Sequence, residues 1–258
     1  MEITAFANSL DGTQIAYDCS GAGPAVILLH GGGGYRQEWQ SAGYVQRLQG
    51  DFTVITLDLR GHGESGAPSN PADYVIDKML QDILAVADVC GAARFALWGM
   101  SFGGKVGRYL AARSERVQKA ILMGTPLGPG VAGKPRQDAI DFYVHWQPII
   151  QAQWEGRLDV NLLPAHDQEM LQNLNIPAML GWVPAMLEWT SVEPADFLCP
   201  TLWLVGSEDQ IAIESVREYK IALKGSLVQV QIIEGLNHEQ VFDQIDAVFP
   251  AMLAFTKS

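Results

Sequence analysis

Six short apolar runs limit this chain's fold more than any other feature. They read PAVILLH (24–30), FTVITLD (52–58), RFALWGM (94–100), KAILMG (119–124), TLWLVG (201–206) and VQVQIIEG (228–235). Most are continuously apolar, as expected of strands covered on both faces. Stretches with helical patterning separate most of them, at 36–48, 74–91, 102–114 and 211–224, and another follows the last at 239–256. This alternation predicts an α/β fold, a mostly parallel sheet with helices on both faces. Ahead of the runs, EITAFANS and TQIAYDCS flank the turn dipeptide Asp11-Gly12, which predicts an antiparallel hairpin over 2–20.

One segment breaks the rhythm. PLGPGVAGKP (126–135) leaves the alternation and VEPADFLCP (192–200) returns to it, with helical patterning and no convincing strand between. We therefore expect a core domain of 1–126 and 199–258 carrying a helical cap, 127–198, folded over the sheet. The cap holds four of the seven tryptophans, Trp146, Trp154, Trp182 and Trp189. Its nine Asp/Glu against three Lys/Arg give it a charge of 3 − 9 = −6 within a chain of −12. Such acidity argues against nucleic acid and anionic membrane surfaces as partners, and against polyanionic substrates. A neutral small-molecule substrate is expected.

The three cysteines, Cys19, Cys90 and Cys199, are too few and too odd in number for a disulfide framework. No ligand spacing suggests a metal. The N-terminus lacks a signal-peptide pattern and no apolar run is long enough to span a membrane, so a cytoplasmic protein is expected. A homodimer is compatible with an apolar patch on the cap.

Within LWGMSFGG (97–104), Ser101 stands between Gly99 and Gly103 at the junction of an apolar run and a helical stretch. A serine hydroxyl is a weak nucleophile until a base takes its proton and donors receive the oxyanion. A tight strand-to-helix turn lifts such a serine out at the sheet edge, and flanking glycines clear the space it needs. Four blocks in order, LLHGGGG (28–34), LDLRGHGES (57–65), GMSFGG (99–104) and GSEDQ…GLNH (206–210 and 235–238), resemble the α/β-hydrolase family, in particular its small esterase, lactonase and perhydrolase branch.

That resemblance implies a Ser-His-Asp triad in the chain order nucleophile, acid, histidine. Ser101 is the nucleophile, and His238 is the base because no other histidine follows residue 166. Asp209 is the acid, with Glu208 as the nearest competitor. Backbone N–H groups of Phe102 and Gly32, with Gly31 or Gly33 as alternates to Gly32, are expected to form the oxyanion hole. His30 should shape that loop. With Gly31, Trp146 and Trp182 it is also a candidate for the substrate pocket. Asp58 and Arg60 are expected to pair with each other and brace the loop, and His62 to be structural. The implied activity is hydrolysis of a carboxylic ester or lactone without metal or organic cofactor. A C–C bond hydrolase, a perhydrolase and a proline iminopeptidase share this site pattern, and a slow-turnover small-molecule receptor shares the fold. Epoxide hydrolase and haloalkane dehalogenase relatives carry aspartate where this chain has Ser101.

Overall fold

The computed structural model describes residues 4–131 and 133–258. Its strands are β1 (Ala5–Asn8), β2 (Gln14–Gly21), β3 (Ala25–Leu29), β4 (Thr53–Leu57), β5 (Phe95–Met100), β6 (Val117–Met123), β7 (Thr201–Gly206) and β8 (Val228–Ile233). They form one sheet in the order β1-β2-β4-β3-β5-β6-β7-β8. The pairs β1–β2 and β2–β4 are antiparallel, and all later pairs are parallel. The hairpin is present as predicted, although Glu2 and Ile3 of its expected first strand lie outside the described residues.

Residue alternation along each strand feeds two separate cores. Ile27 and Leu29 of β3 pack with Ile55 and Leu57 of β4 on one face, against helices α3 (Ile76–Val89) and α4 (Phe102–Arg113). Val26 and Leu28 point to the other face, with Trp39, Tyr44, Val248 and Phe249. These last residues lie on α1 (Glu38–Ser41), α2 (Tyr44–Leu48) and α10 (Ile245–Lys257). A strand sandwiched in this way has no solvent face, which is why its sequence reads as a continuous apolar run.

Three helix readings need correction. The expected helix over 36–48 is two short helices, broken at Gly43, whose φ of +88° interrupts the helical path. The helix expected over 211–224 ends at Glu218 as α8 (Gln210–Glu218) and continues as turns. The one expected over 239–256 splits at Gln244 into α9 (Gln240–Asp243) and α10.

Between β6 and β7 the described residues carry α5 (Gly133–Trp154), α6 (Ala165–Asn173) and α7 (Ile176–Leu187). This insertion has a small core of its own, in which Trp146, Ile150, Ile176 and Leu180 are buried. It also packs on the main body. Gly181 of α7 sits so close to the Tyr74 ring that a side chain there would collide with it. No helix among the described residues is long and apolar enough to cross a membrane. Cys19, Cys90 and Cys199 are free thiols.

Candidate active site

The parallel strands end along one edge of the sheet, and the candidate residues follow those ends. Ser101 follows β5, Gly124 follows β6, Asp209 follows β7 and His238 follows β8. Ligand sites of open α/β sheets form at this carboxyl edge because the strand-to-helix loops converge there.

Ser101 has φ +49° and ψ −107°, the one positive φ at a non-glycine residue among the described residues. Such a conformation costs on the order of 1–3 kcal/mol and persists only where the surroundings enforce it. Here the Ser101 N–H donates to Met123 O at 2.8 Å, and Ser101 O accepts from Lys105 N–H at 2.9 Å. The neighbouring glycines permit the turn. A Cβ on Gly99 would lie 2.6 Å from Gly103 C, and one on Gly103 would lie 2.6 Å from His30 O.

The structure brings Ser101, His238 and Asp209 into one hydrogen-bonded line. His238 Nε2 is 3.0 Å from Ser101 Oγ, and His238 Nδ1 is 2.7 Å from Asp209 Oδ2. A carboxylate only accepts, so Nδ1 carries the proton and Nε2 offers its lone pair to the serine hydroxyl. Asp209 is buried and caps α8, its Oδ1 accepting from Ala212 N–H at 3.1 Å. That second bond fixes the carboxylate's direction. Among the described residues Glu208 forms no hydrogen bond or ion pair with His238; its N–H donates to Leu236 O at 2.9 Å.

Two glycines that sequence reading passed over make room for the histidine. A Cβ on Gly124, where φ is +57°, would stand 3.2 Å from both Cε1 and Nδ1 of His238. Gly206 lies under the carbonyl of Leu236, so any side chain there would push the His238 loop away. Their only sequence signal is a glycine directly after an apolar run.

The Gly31–Gly33 loop after β3 lies against the serine turn. A Cβ on Gly31 would be 3.8 Å from Ser101 Cβ, and one on Gly32 would be 3.4 Å from Phe102 Cβ. The N–H groups of Gly32 and Phe102 have no backbone acceptor among the described residues. Trp182 reaches the same spot from α7. Its Cη2 is 3.6 Å from the Gly32 Cβ position, and its ring centroid is 4.8 Å from that of Phe102.

Trp146 and His30 do not join that wall. Trp146 is buried inside the insertion's own core. His30 is only 1% exposed, with both ring nitrogens engaged by backbone. Its Nδ1 donates to Gly31 O at 2.7 Å, and its Nε2 accepts from Leu59 N–H at 3.0 Å. It thus clamps the glycine loop to the loop after β4.

The expected Asp58–Arg60 pair is not formed. Asp58 binds Arg36, accepting from its backbone N–H and its Nη1, both at 2.6 Å. Arg60 instead pairs with Asp82 of α3 at 2.5 Å and with Asp11 at 3.0 Å. The near partner in sequence lost to distant ones because Arg36 leaves the glycine loop beside the end of β4. Sequence spacing carries no signal of that approach. Two surface grooves, of about 490 and 610 Å³, include none of Ser101, Asp209 and His238 in their walls.

Burial governs His30 and His62. It pushes His30 down to about 4, and burial followed by repulsion from His30 pushes His62 down to about 3, each from 6.5. Both are neutral in the folded protein near neutral pH. The unfolded chain therefore binds more protons as pH falls below 6.5, and stability drops from there toward pH 4. In urea unfolding across this range, His62→Phe should remove about one proton from the pH slope, since a phenyl ring fits beside Phe102 and Trp182. An unchanged slope would contradict a neutral, buried His62.

Residues 24–175 match the model of the alpha/beta hydrolase fold family, more than half of the chain. The chain belongs to that family. It is 28% identical over 184 residues to bifunctional epoxide hydrolase 2 of Sus scrofa, an alignment covering 66% of this chain and 33% of that protein. The chain spans about a third or less of the length of the mammalian epoxide hydrolases it matches. It is 27% identical to the non-heme haloperoxidase of Rhodococcus erythropolis over 98% of this chain and 99% of that one. The esterase from Exiguobacterium antarcticum superposes with a TM-score of 0.77 at 22% identity, over 99% of this chain and all of that one, a likeness of fold.

Proposed function

We propose that this chain is a serine hydrolase that cleaves carboxylic esters or lactones. The observation carrying the reading is the Ser101–His238–Asp209 line at 3.0 and 2.7 Å, beside two N–H groups without acceptors. In this reading Ser101 Oγ attacks the carbonyl carbon while His238 Nε2 takes its proton. The N–H groups of Gly32 and Phe102 hold the tetrahedral oxyanion. Imidazolium, stabilised by Asp209, then protonates the leaving alcohol, and the acyl group stays on Ser101. Water, deprotonated by the same histidine, attacks the acyl-enzyme and releases the acid. A lactone follows the same course, its alcohol remaining tethered to the acid.

The helical insertion acts as the cap, with Trp182 as the apolar wall over the reacting carbonyl. No metal or organic cofactor has a step in this scheme. A serine supports an acyl-enzyme where the aspartate of an epoxide hydrolase would form an alkyl ester. The epoxide hydrolase names among the relatives are therefore not carried over.

The reading is tested with p-nitrophenyl esters from acetate to octanoate, a lactone series and a fluorophosphonate. Steady multiple turnover is expected, with an optimum in acyl length and one phosphonate adduct mapped to Ser101. Failure to hydrolyse any ester or lactone would overturn it. A single burst without turnover would favour a receptor.

A further inference from the structure

Lys105 has no role in the scheme above, and its placement is unusual. Of the lysines among the described residues, Lys78, Lys134 and Lys257 bind carboxylates and Lys119 binds the Phe255 carbonyl. Lys220 and Lys224 are exposed. Lys105 alone is neither exposed nor bonded to an acceptor among the described residues.

Its position follows from helix geometry. Lys105 N–H donates to Ser101 O, so the residue stands one turn after the nucleophile. Cα–Cβ bonds tilt toward a helix N-terminus, which lays the side chain over the turn that Ser101 begins. The other faces of α4 are taken. Gly103 meets the end of β3, Gly104 meets Thr125 after β6, Gly107 packs on Leu97 and Leu122 of the sheet, and Phe102, Val106 and Tyr109 enter the core. Lys105 shares the remaining face with Arg108, whose guanidinium donates to the carbonyls of Pro126 and Pro129. The segment those carbonyls belong to begins at Gly124, which packs on the His238 ring. Lys105 thus stands nearly one turn closer to Ser101 than Arg108 along α4.

We propose that Lys105 is a specificity-determining residue that receives the carboxylate of a mono-anionic substrate, an ester or lactone bearing one free acid. Three observations ask for an anion at this place. Arg108 donates from its Nη atoms to two neutral carbonyls and its buried Nε has no hydrogen-bond partner among the described residues, so its charge adds to that of Lys105. The N-terminal end of α4 adds positive potential of its own. The Thr125 hydroxyl, fully buried and against Gly104 on the same turn, also has no hydrogen-bond partner. Burial, with repulsion from Arg108 second, pushes the Lys105 ammonium down to about 8, consistent with a cation lacking its counter-ion. One ammonium balances one negative charge. The chain's net charge of −12 opposes a second, which separates this class from phosphates and polyacids. The acidity of the cap, which predicts a neutral substrate, disfavours multiple charges and is compatible with one carboxylate held by Lys105.

The proposal rests on the hydrolase reading, and the experiment separates the two failures. We would compare kcat/KM for monomethyl glutarate with that for its uncharged isostere, in which a methyl ketone replaces the carboxylate. The wild type should favour the charged ester by about tenfold or more, as expected for a desolvated charge-assisted pair. Lys105→Met should lower that ratio about tenfold, mainly through KM, and Lys105→Arg should retain most of it. Lys105→Gln supplies the comparison should the Met variant not fold. A ratio unchanged on removing the ammonium would overturn the proposal. Should the wild type hydrolyse neither ester, the p-nitrophenyl ester and lactone series decides the hydrolase reading, and calorimetric binding of monomethyl glutarate decides this proposal separately. Binding weakened about tenfold by Lys105→Met would support the site. No binding, or no difference between variants, would overturn it.

Discussion

Replacing Ser101 with alanine is expected to lower ester turnover at least about 10⁴-fold, with the unfolding midpoint unchanged within a few degrees. The hydroxyl is the attacking group in the proposed scheme, and nothing else on the described wall substitutes for it. What survives would be the contribution of the two N–H donors and of binding, which in triad enzymes leaves a rate still well above that in water. His238→Ala should cost a similar factor, and the double variant little more. The three groups act as one unit, so their losses do not add. Asp209→Asn should cost about 10⁴-fold with the fold intact, because an amide cannot stabilise the imidazolium and permits the wrong tautomer. Glu208→Gln provides the contrast and should stay near wild type. Steady-state kinetics on one chromogenic ester reads all five variants. A Ser101→Ala protein within tenfold of wild type would end the serine hydrolase reading.

The largest stability effect is expected at Arg60, outside the reacting groups. Its guanidinium is fully buried and binds Asp82, Asp11 and the Asp73 carbonyl. Arg60→Met leaves the Asp82 carboxylate, also fully buried, without its counter-ion. Breaking a buried pair from one side costs about 3–5 kcal/mol, which for a chain of this size lowers Tm by on the order of 10 °C. Replacing both partners together, Arg60→Met with Asp82→Leu, should recover much of the loss, since two apolar groups need no counter-charge. The deficit of the single variant should also shrink toward low pH. Burial already holds Asp82 above the usual carboxylate range, and without Arg60 it would rise further. A raised folded-state pKa favours the fold at low pH, and that advantage fades as pH rises. Thermal melts of the three proteins at pH 8 and pH 5.5 measure this. A single variant that melts with the wild type would show that Arg60 is not required for stability.

These two sites differ in how far the sequence exposes them. The GMSFGG block announces Ser101 because the chemistry is local: strand, turn, glycine, serine and helix are contiguous, and steric limits on the turn leave their mark in the residues themselves. The Arg60–Asp82 pair joins residues 22 apart, and Asp58 turns to Arg36 rather than to Arg60 two positions away. Charged residues in a loop all read alike until the fold decides which can meet. Trp146 and Trp182 show the same limit within one insertion. Both are buried tryptophans on helices, yet one closes the insertion's own core and the other reaches Gly32. Helical periodicity reports that a face is apolar, not what it covers.

By itself the sequence determined the alternation of strands and helices, the antiparallel hairpin at the start, the interruption after β6 and the strand-to-helix turn at Ser101. Each of these is a matter of neighbouring residues, where burial and backbone sterics act over a few positions. Only the tertiary structure decided that His238 stands 3.0 Å from Ser101 across 137 residues of chain, that Gly124 and Gly206 clear its path, and that Arg60 meets Asp82 rather than Asp58. Those are relations between strand ends, and the sheet order that sets them is the joint result of packing both apolar faces of every strand at once.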